Sequence, residues 1–317
     1  QNINVLLDAT GNATVTAAQI NNGSSDACGI ASIAIDKSVF SCADLGANTV
    51  TLTVTDSNGN TATAIASVTV EDKVAPVAAA KNITVRLNAS GNATTEATDI
   101  DNGSTDNCGI SSVSLDKSAF TCENVGDNTV TLTVTDNSGN VSTATSTVTV
   151  LKAAQAITFA ALADATYGDE TVTLSATATS GEAVTYTVEG PATLNGNVLT
   201  ITGAGEVRVT ATQGGNSCFA AATEVVRVFQ VAKRQLIVTA DAKSRVYGEQ
   251  NPAFTYTITG FVGTDNETAL DVLPQATTTA IAESNAGEYA ITVSGGSDDN
   301  YSFAYQTAKL TIQKATA

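Results

Sequence analysis

Threonine alternates with valine or leucine through Thr49-Val50-Thr51-Leu52-Thr53-Val54-Thr55. Period two marks a strand with one face buried and the other wet. Asp56-Ser57-Asn58-Gly59-Asn60 follows as a turn in which Gly59 is free to take positive φ. Thr61 to Val70 is therefore expected as the return arm of a hairpin. Upstream, Ile3 to Leu7 reads as a strand, Ala9 to Asn12 as a turn and Ala13 to Thr16 as its return strand, with short strands at Ile33–Ile35 and Val39–Phe40. Short strands separated by frequent turns predict a β-sandwich, so the expected fold class is all-β.

The pattern then recurs. Asn21-Asn22-Gly23-Ser24-Ser25-Asp26-Ala27-Cys28-Gly29-Ile30 returns as Asp101-Asn102-Gly103-Ser104-Thr105-Asp106-Asn107-Cys108-Gly109-Ile110. Residues 1–72 laid on 81–152 agree at 41 of 72 positions without a gap. A period this regular predicts tandem domains, each one supersecondary unit. The expected boundaries are 1–72, 73–152, 153–232 and 233–317, with Glu71 to Pro76 as the first linker, stiffened by Pro76. Because Gln1-Asn2-Ile3-Asn4-Val5 aligns inside a repeat, with Lys81 to Val85, the chain is expected to be a piece of a longer precursor.

Composition narrows the functional classes. Net charge is −17 and only 14 residues are lysine or arginine, against the basic clusters that neutralise phosphates, so no nucleic-acid partner is expected. No apolar run reaches the length of a membrane span. Histidine is absent, which removes Ser-His-Asp, Cys-His and most hydrolytic metal sites. Tryptophan is absent too, leaving paired carboxylates without a sugar platform, and neither a Walker loop nor Gly-x-Gly-x-x-Gly before a helix occurs. No enzyme is expected.

The five cysteines form two like-spaced pairs plus Cys218. Without histidine or Cys-x-x-Cys, zinc is a poor reading. The equal spacing predicts one disulfide inside each repeat, Cys28–Cys42 and Cys108–Cys122, each contributing about 3 kcal/mol by closing a short loop. Cys218 is expected as a small buried apolar residue. Disulfides place the chain outside a reducing cytosol.

Asp106-Asn107-Cys108-Gly109-Ile110, Phe120-Thr121-Cys122, Val125-Gly126-Asp127-Asn128-Thr129-Val130-Thr131-Leu132-Thr133-Val134-Thr135-Asp136 and Gly139-Asn140 together resemble the HYR (hyalin) repeat, in the version common in large secreted proteins of Bacteroidota. The resemblance covers 1–152 and implies an immunoglobulin-like sandwich associated with cell adhesion. Many bacterial relatives carry a second cysteine pair. Ala80 and Ala144 stand in its places, which implies one bridge per repeat. Residues 153–232 resemble the bacterial Ig-like units that accompany MBG domains. Residues 233–317 resemble an MBG domain directly, on Leu236 to Ala240, Val246-Tyr247-Gly248-Glu249, Gly260-Phe261, Gly287-Glu288-Tyr289 and Asp298-Asp299-Asn300-Tyr301. Tyr167-Gly168 lies eighty residues before Tyr247-Gly248, and each is expected as a turn whose ring caps a core.

One stretch offers candidate metal chemistry. Asp99, Asp101 and Asp106, with Asp26 as the first-repeat counterpart of Asp106, present oxygen ligands around a glycine turn, the hard donors calcium takes. Gln19 and Asn21 replace Asp99 and Asp101 in the first repeat, and an Asx turn is the competing reading. No other cofactor is expected. The functional expectation is a stalk segment of a large secreted or surface adhesin, as in bacterial attachment or gliding, with neighbouring domains of a longer chain as its partners. Two alternatives stand beside it. In one, the loops 99–107 and 295–301 bind a surface glycan or protein. In the other, edge strands build a filament by strand addition.

Overall fold

A computed structural model describes residues 1–315. The sheets combine short strands with a few of eleven residues, and the helices are single turns. The chain divides into two compact units, the first of residues 1–154 with 217–219, the second of 155–216 with the rest.

The first unit holds both repeats. In the first repeat a four-stranded sheet runs Ile3–Leu6, Thr61–Glu71, Gly46–Asp56, Ile30–Ile35. Thr61–Glu71 pairs antiparallel with Gly46–Asp56 as the alternation requires, Val50 against Ala66 and Leu52 against Ala64. Ile3–Leu6 joins it parallel. Val50, Leu52, Val68 and Val70 point into the core with Phe40 and Ile20, while the intervening threonines stay partly wet. Asn12–Thr14 does not return along Ile3–Leu6. It pairs with Val39–Ser41 as the second layer of the sandwich. The second repeat copies all of this, with Phe120, Val130, Leu132 and Val148 buried.

One element escaped the alternation: the turn of helix Ala17–Ile20, matched by Ala97–Ile100. Thr16 and Gln19 close a reciprocal capping box over its start, and Ile20 drops into the core. Four residues are too few to show helical periodicity, so only the capping spacing marks it.

The second unit contains two further sandwiches. In one, Ala165–Thr166, Val225–Ala232, Gly205–Thr212 and Thr185–Glu189 face Val172–Thr173, Val198–Ile201 and Ala192–Asn195 around Phe159, Leu199, Val207 and Phe229. In the other, Lys243–Val246, Ala308–Gln313, Gly287–Ser297 and Val272–Thr278 face Tyr256–Thr259, Arg234–Ala240 and Tyr301–Gln306. Val238, Ile291, Leu310 and Ile312 fill that core. Arg245 is buried there, its guanidinium donating to Asn251 Oδ1 at 2.8 Å and to the carbonyls of Val246, Ile281 and Ala282.

Candidate functional site: the junctions between sandwiches

The cysteines overturn the expected pairing. The bridges are Cys42–Cys108 and Cys122–Cys218, and Cys28 is a free, exposed thiol. The reason lies in the long strand Gly46–Asp56. Cys28 sits at one end of it, where Ser57 N donates to Gly29 O. Cys42 opens the 3-10 turn Cys42–Asp44 just before Gly46, at the other end. Eleven extended residues separate those poles by on the order of 30 Å, far beyond the roughly 7 Å a disulfide spans between Cα atoms. Each repeat thus carries one cysteine at each pole. The tail cysteine of the first reaches the head cysteine of the second. Cys122 does the same for Cys218, which is bridged and not a buried apolar residue.

Two glycines make room. Gly11 and Gly91 hold φ +77 beside the tail cysteines. A Cβ on Gly11 would lie 2.7 Å from Cys42 Sγ and 3.0 Å from Asn107 O, and one on Gly91 would lie 2.7 and 2.8 Å from Cys122 and Cys218 Sγ. The turn Ala9 to Asn12, read as a plain hairpin turn, therefore cradles the bridge. Around Cys218, Phe219 forms a parallel bridge with Ala153, and Ala153 N donates to Cys218 O at 2.9 Å.

Beside Cys42–Cys108 the linker is stitched to the second repeat. Val77 and Thr105 exchange backbone bonds of 2.7 and 3.1 Å, and Asn102 N donates to Ala79 O. Asn107 Nδ2 reaches Asp8 O at 3.1 Å and Asp72 Oδ1 at 3.3 Å. Asn140 Nδ2 lies 3.2 Å from both Asp72 O and Val74 O and 2.7 Å from Asp136 Oδ2.

Three carboxylates meet here. Asp72, Asp106 and Asp136 each place one oxygen within 4.8 Å of the others. Asp136 is 1% exposed and Asp72 4%. Burial pushes Asp136 upward, but bonds from the Asn140 side chain and the Asn140 and Ser138 amides more than offset it and hold its pKa below the usual carboxylate range. Among the described residues, the buried side-chain oxygens without a hydrogen-bond partner are Asp106 Oδ1 and, on the next residue, Asn107 Oδ1. A cation coordinated at 2.3–2.6 Å draws its ligands to within about 5 Å of one another, and oxygen donors of this kind suit calcium.

The candidate calcium ligands fare unequally. Asp106 joins the cluster. Asp99 instead caps the helix Ala97–Ile100, accepting from Glu96 N at 2.9 Å and Thr95 Oγ1 at 3.1 Å. Asp101 accepts from the Ser104 hydroxyl and amide, the Asx-type turn that was the competing reading. Asp26 is exposed and bonds the Cys28 amide. The four are not gathered around one point. The sequence places Asp72 in the linker and Asp136 in its own hairpin turn, 64 residues apart, and does not bring them together as ligands. The Asp136-to-Asn140 hairpin and the linker Asp72 were the legible parts.

Within the second unit the joint is aromatic. Tyr167 and Tyr301 meet edge to face at 5.5 Å between ring centroids. Both hydroxyls donate to Asp265 Oδ2, at 3.1 and 2.6 Å, and Val262 N donates to the Tyr301 oxygen at 2.9 Å. Burial, then Asp265, pushes both phenols above the ordinary tyrosine value. A Cβ on Gly168 would strike Val262 Cγ2 at 2.4 Å. Asn300 Oδ1 accepts from Ala204 N at 2.8 Å. Tyr167 thus packs its ring at a joint, whereas Tyr247 is half exposed.

These features define tandem immunoglobulin-like β-sandwiches, with one joint between the two repeats of the first unit and another between the two sandwiches of the second. Residues 236–311 match the family described as MBG domain (YGX type), where the fourth domain's resemblance placed it. No curated protein matches the chain. Among solved structures, the extracellular cadherin domains 1–4 of protocadherin gamma B7 align over 98% of this chain and 100% of that one at 12% identity, TM-score 0.34. Drosophila N-cadherin EC1-4 aligns over 99% and 98% at 11% identity, TM-score 0.27. Sidekick-1 immunoglobulin domains 1–5 align over 99% and 80% at 11% identity, TM-score 0.27.

Proposed function

We propose that the chain is a non-enzymatic structural spacer of a secreted or cell-surface protein, of the adhesin kind that the HYR resemblance of residues 1–152 implies. The carrying observation is the head-to-tail bridging: Cys42–Cys108 and Cys122–Cys218 join successive parts of the array instead of stapling single sandwiches. Such bonds persist outside reducing compartments. A Bacteroidota attachment or gliding adhesin is the finer form of this reading and rests on the resemblance alone. Recognition through the loops 99–107 and 295–301 is less favoured, because Thr105, Asn107 and Asn300 are already spent on joints.

Pulling the chain by its ends tests the spacer reading. The bridges span 66 and 96 residues, so the oxidised protein should release about 550 Å less contour length than the reduced protein, at roughly 3.4 Å per residue. Equal lengths in both states would sink it.

A second element of the reading is a hard divalent cation, calcium by its donor set, held by Asp72, Asp106 and Asp136 with Asn107 Oδ1. The observation favouring it is the pair of buried, unpartnered oxygens on Asp106 and Asn107. The ion would lock the linker against the second repeat.

A further inference from the structure

The two repeats present the same surface in two states. In the second repeat Asp106, Asn107, Cys108 and Gly109 are all half-buried beneath the first repeat and its linker, whereas Asp26, Ala27, Cys28 and Gly29 are all exposed. Asp136 is buried and Asn140 half-buried, while Asp56 is half-buried and Asn60 exposed. The bare surface is already shaped. Cys28 N donates to Asp26 Oδ2 at 2.7 Å, as Cys108 N does to Asp106 Oδ2 at 2.7 Å, and Gly29 and Gly109 share φ +95. Ser25, Asp26, Val54, Asp56 and Asn60 line an open depression of about 150 Å³. Thr105, Asp106 and Asn140 stand at the matching positions, where the linker Asp72 to Val77 seats in the second repeat. Even the entry point agrees: Gln1 N donates to Ile20 O at 2.6 Å as Lys81 N does to Ile100 O at 2.9 Å.

We propose that this head surface docks a further copy of the repeat preceding it in the chain, linker included, and that the tail cysteine of that copy bonds Cys28. The inference rests on the spacer reading. The copy's Cys42 thiol and the Cys28 thiol lose two protons and two electrons as the Sγ–Sγ bond forms. A thiol–disulfide oxidoreductase or glutathione disulfide takes the electrons and is reduced to its thiols.

The test extends the full chain with a copy of its own residues 1–80 placed before Gln1, expressed in an oxidising compartment. In the unextended chain maleimide should label one thiol, Cys28. In the extended chain Cys28 labelling should be lost, one label should appear on Cys28 of the added copy, and unreduced digests should yield a peptide joining Cys42 of that copy to Cys28. Cys28→Ser should free the added Cys42 for labelling. The Cys42–Cys108 peptide in the same digest reports folding. If it is present while Cys28 still labels, or while Cys28 pairs with its twin in a second molecule, the docking inference fails and the spacer stands. If Cys42–Cys108 itself is absent, the spacer reading fails.

Discussion

The joint between the two repeats and the joint inside the second unit solve one problem with different chemistry. The first uses a disulfide, three carboxylates and backbone pairing to the linker. The second uses two tyrosines converging on Asp265, with Gly168 thinned to admit Val262. A covalent joint constrains the unfolded chain as well as the folded one. An aromatic joint stabilises only the folded state, by buried ring area and by hydroxyls that satisfy a buried acceptor. The difference should be visible in which perturbation undoes each unit.

The largest effect is expected from Cys42→Ala with Cys108→Ala. Releasing a 66-residue closure costs about 4 kcal/mol in the chain-entropy account, so calorimetry should show the first unit melting about 10 °C lower with the second unit unmoved. A coincident fall of both transitions would break the comparison. Next comes Tyr301→Phe, which strips a donor from Asp265 and an acceptor from Val262 N. It should cost about 1–3 kcal/mol, confined to the second unit, when urea unfolding is followed there.

Glycine substitutions sharpen the cradle. Gly91→Ala combines a left-handed backbone with a Cβ against two sulfurs and should cost more than the ~1–2 kcal/mol of the backbone change alone. Gly23→Ala, at φ +76 in open space, should cost only that. Equal losses would mean the room beside the disulfide is immaterial. Calcium should raise the melting of the first unit only, by about 2–3 kcal/mol at a hundredfold excess over the dissociation constant. Asp136→Asn should abolish the rise, and a rise surviving that change would remove the cluster from the account.

The smallest and most diagnostic contrast is in pH. The aspartates held below their ordinary range include Asp56, by the Asn60 side chain and the Asn60 and Asn58 amides, Asp99, by the Glu96 amide and Thr95, and Asp136. All lie in the first unit. Their stabilisation is complete above the unfolded carboxylate pKa near 3.8 and is lost as pH falls below it. Tyr167 and Tyr301 are raised, so theirs is complete below about pH 10 and lost as pH climbs above it. Acid should therefore loosen the first unit before the second, and alkali the second before the first. Near-ultraviolet tyrosine absorbance against pH checks the latter.

Strand periodicity, the Asp-Asn hairpin and the eighty-residue repeat were legible because each is a local rule: Val50 and Leu52 face inward wherever threonine alternates with them. The cysteine pairing was not. Fourteen residues between Cys28 and Cys42 suggest a short loop only if the chain between them doubles back. Instead Ile30–Ile35 and Val39–Ser41 both progress toward the Gly46 pole. Head-to-tail pairing is a property of two copies together, so no reading of one repeat contains it. The carboxylate cluster failed for the same reason, its members coming from a linker, a loop and a hairpin. Asp99 and Asp101 looked like ligands because a capping acid and an Asx-turn acid share composition with a calcium loop.

The enclosed segments have a consequence for what a protease achieves. A single cut anywhere between residues 43 and 107, or between 123 and 217, leaves both products tied through Cys42–Cys108 or Cys122–Cys218. A cleavage before Cys42, after Cys218 or in the short interval between Cys108 and Cys122 sheds a fragment. Over about half of its length this chain survives nicking as one molecule until something also reduces it.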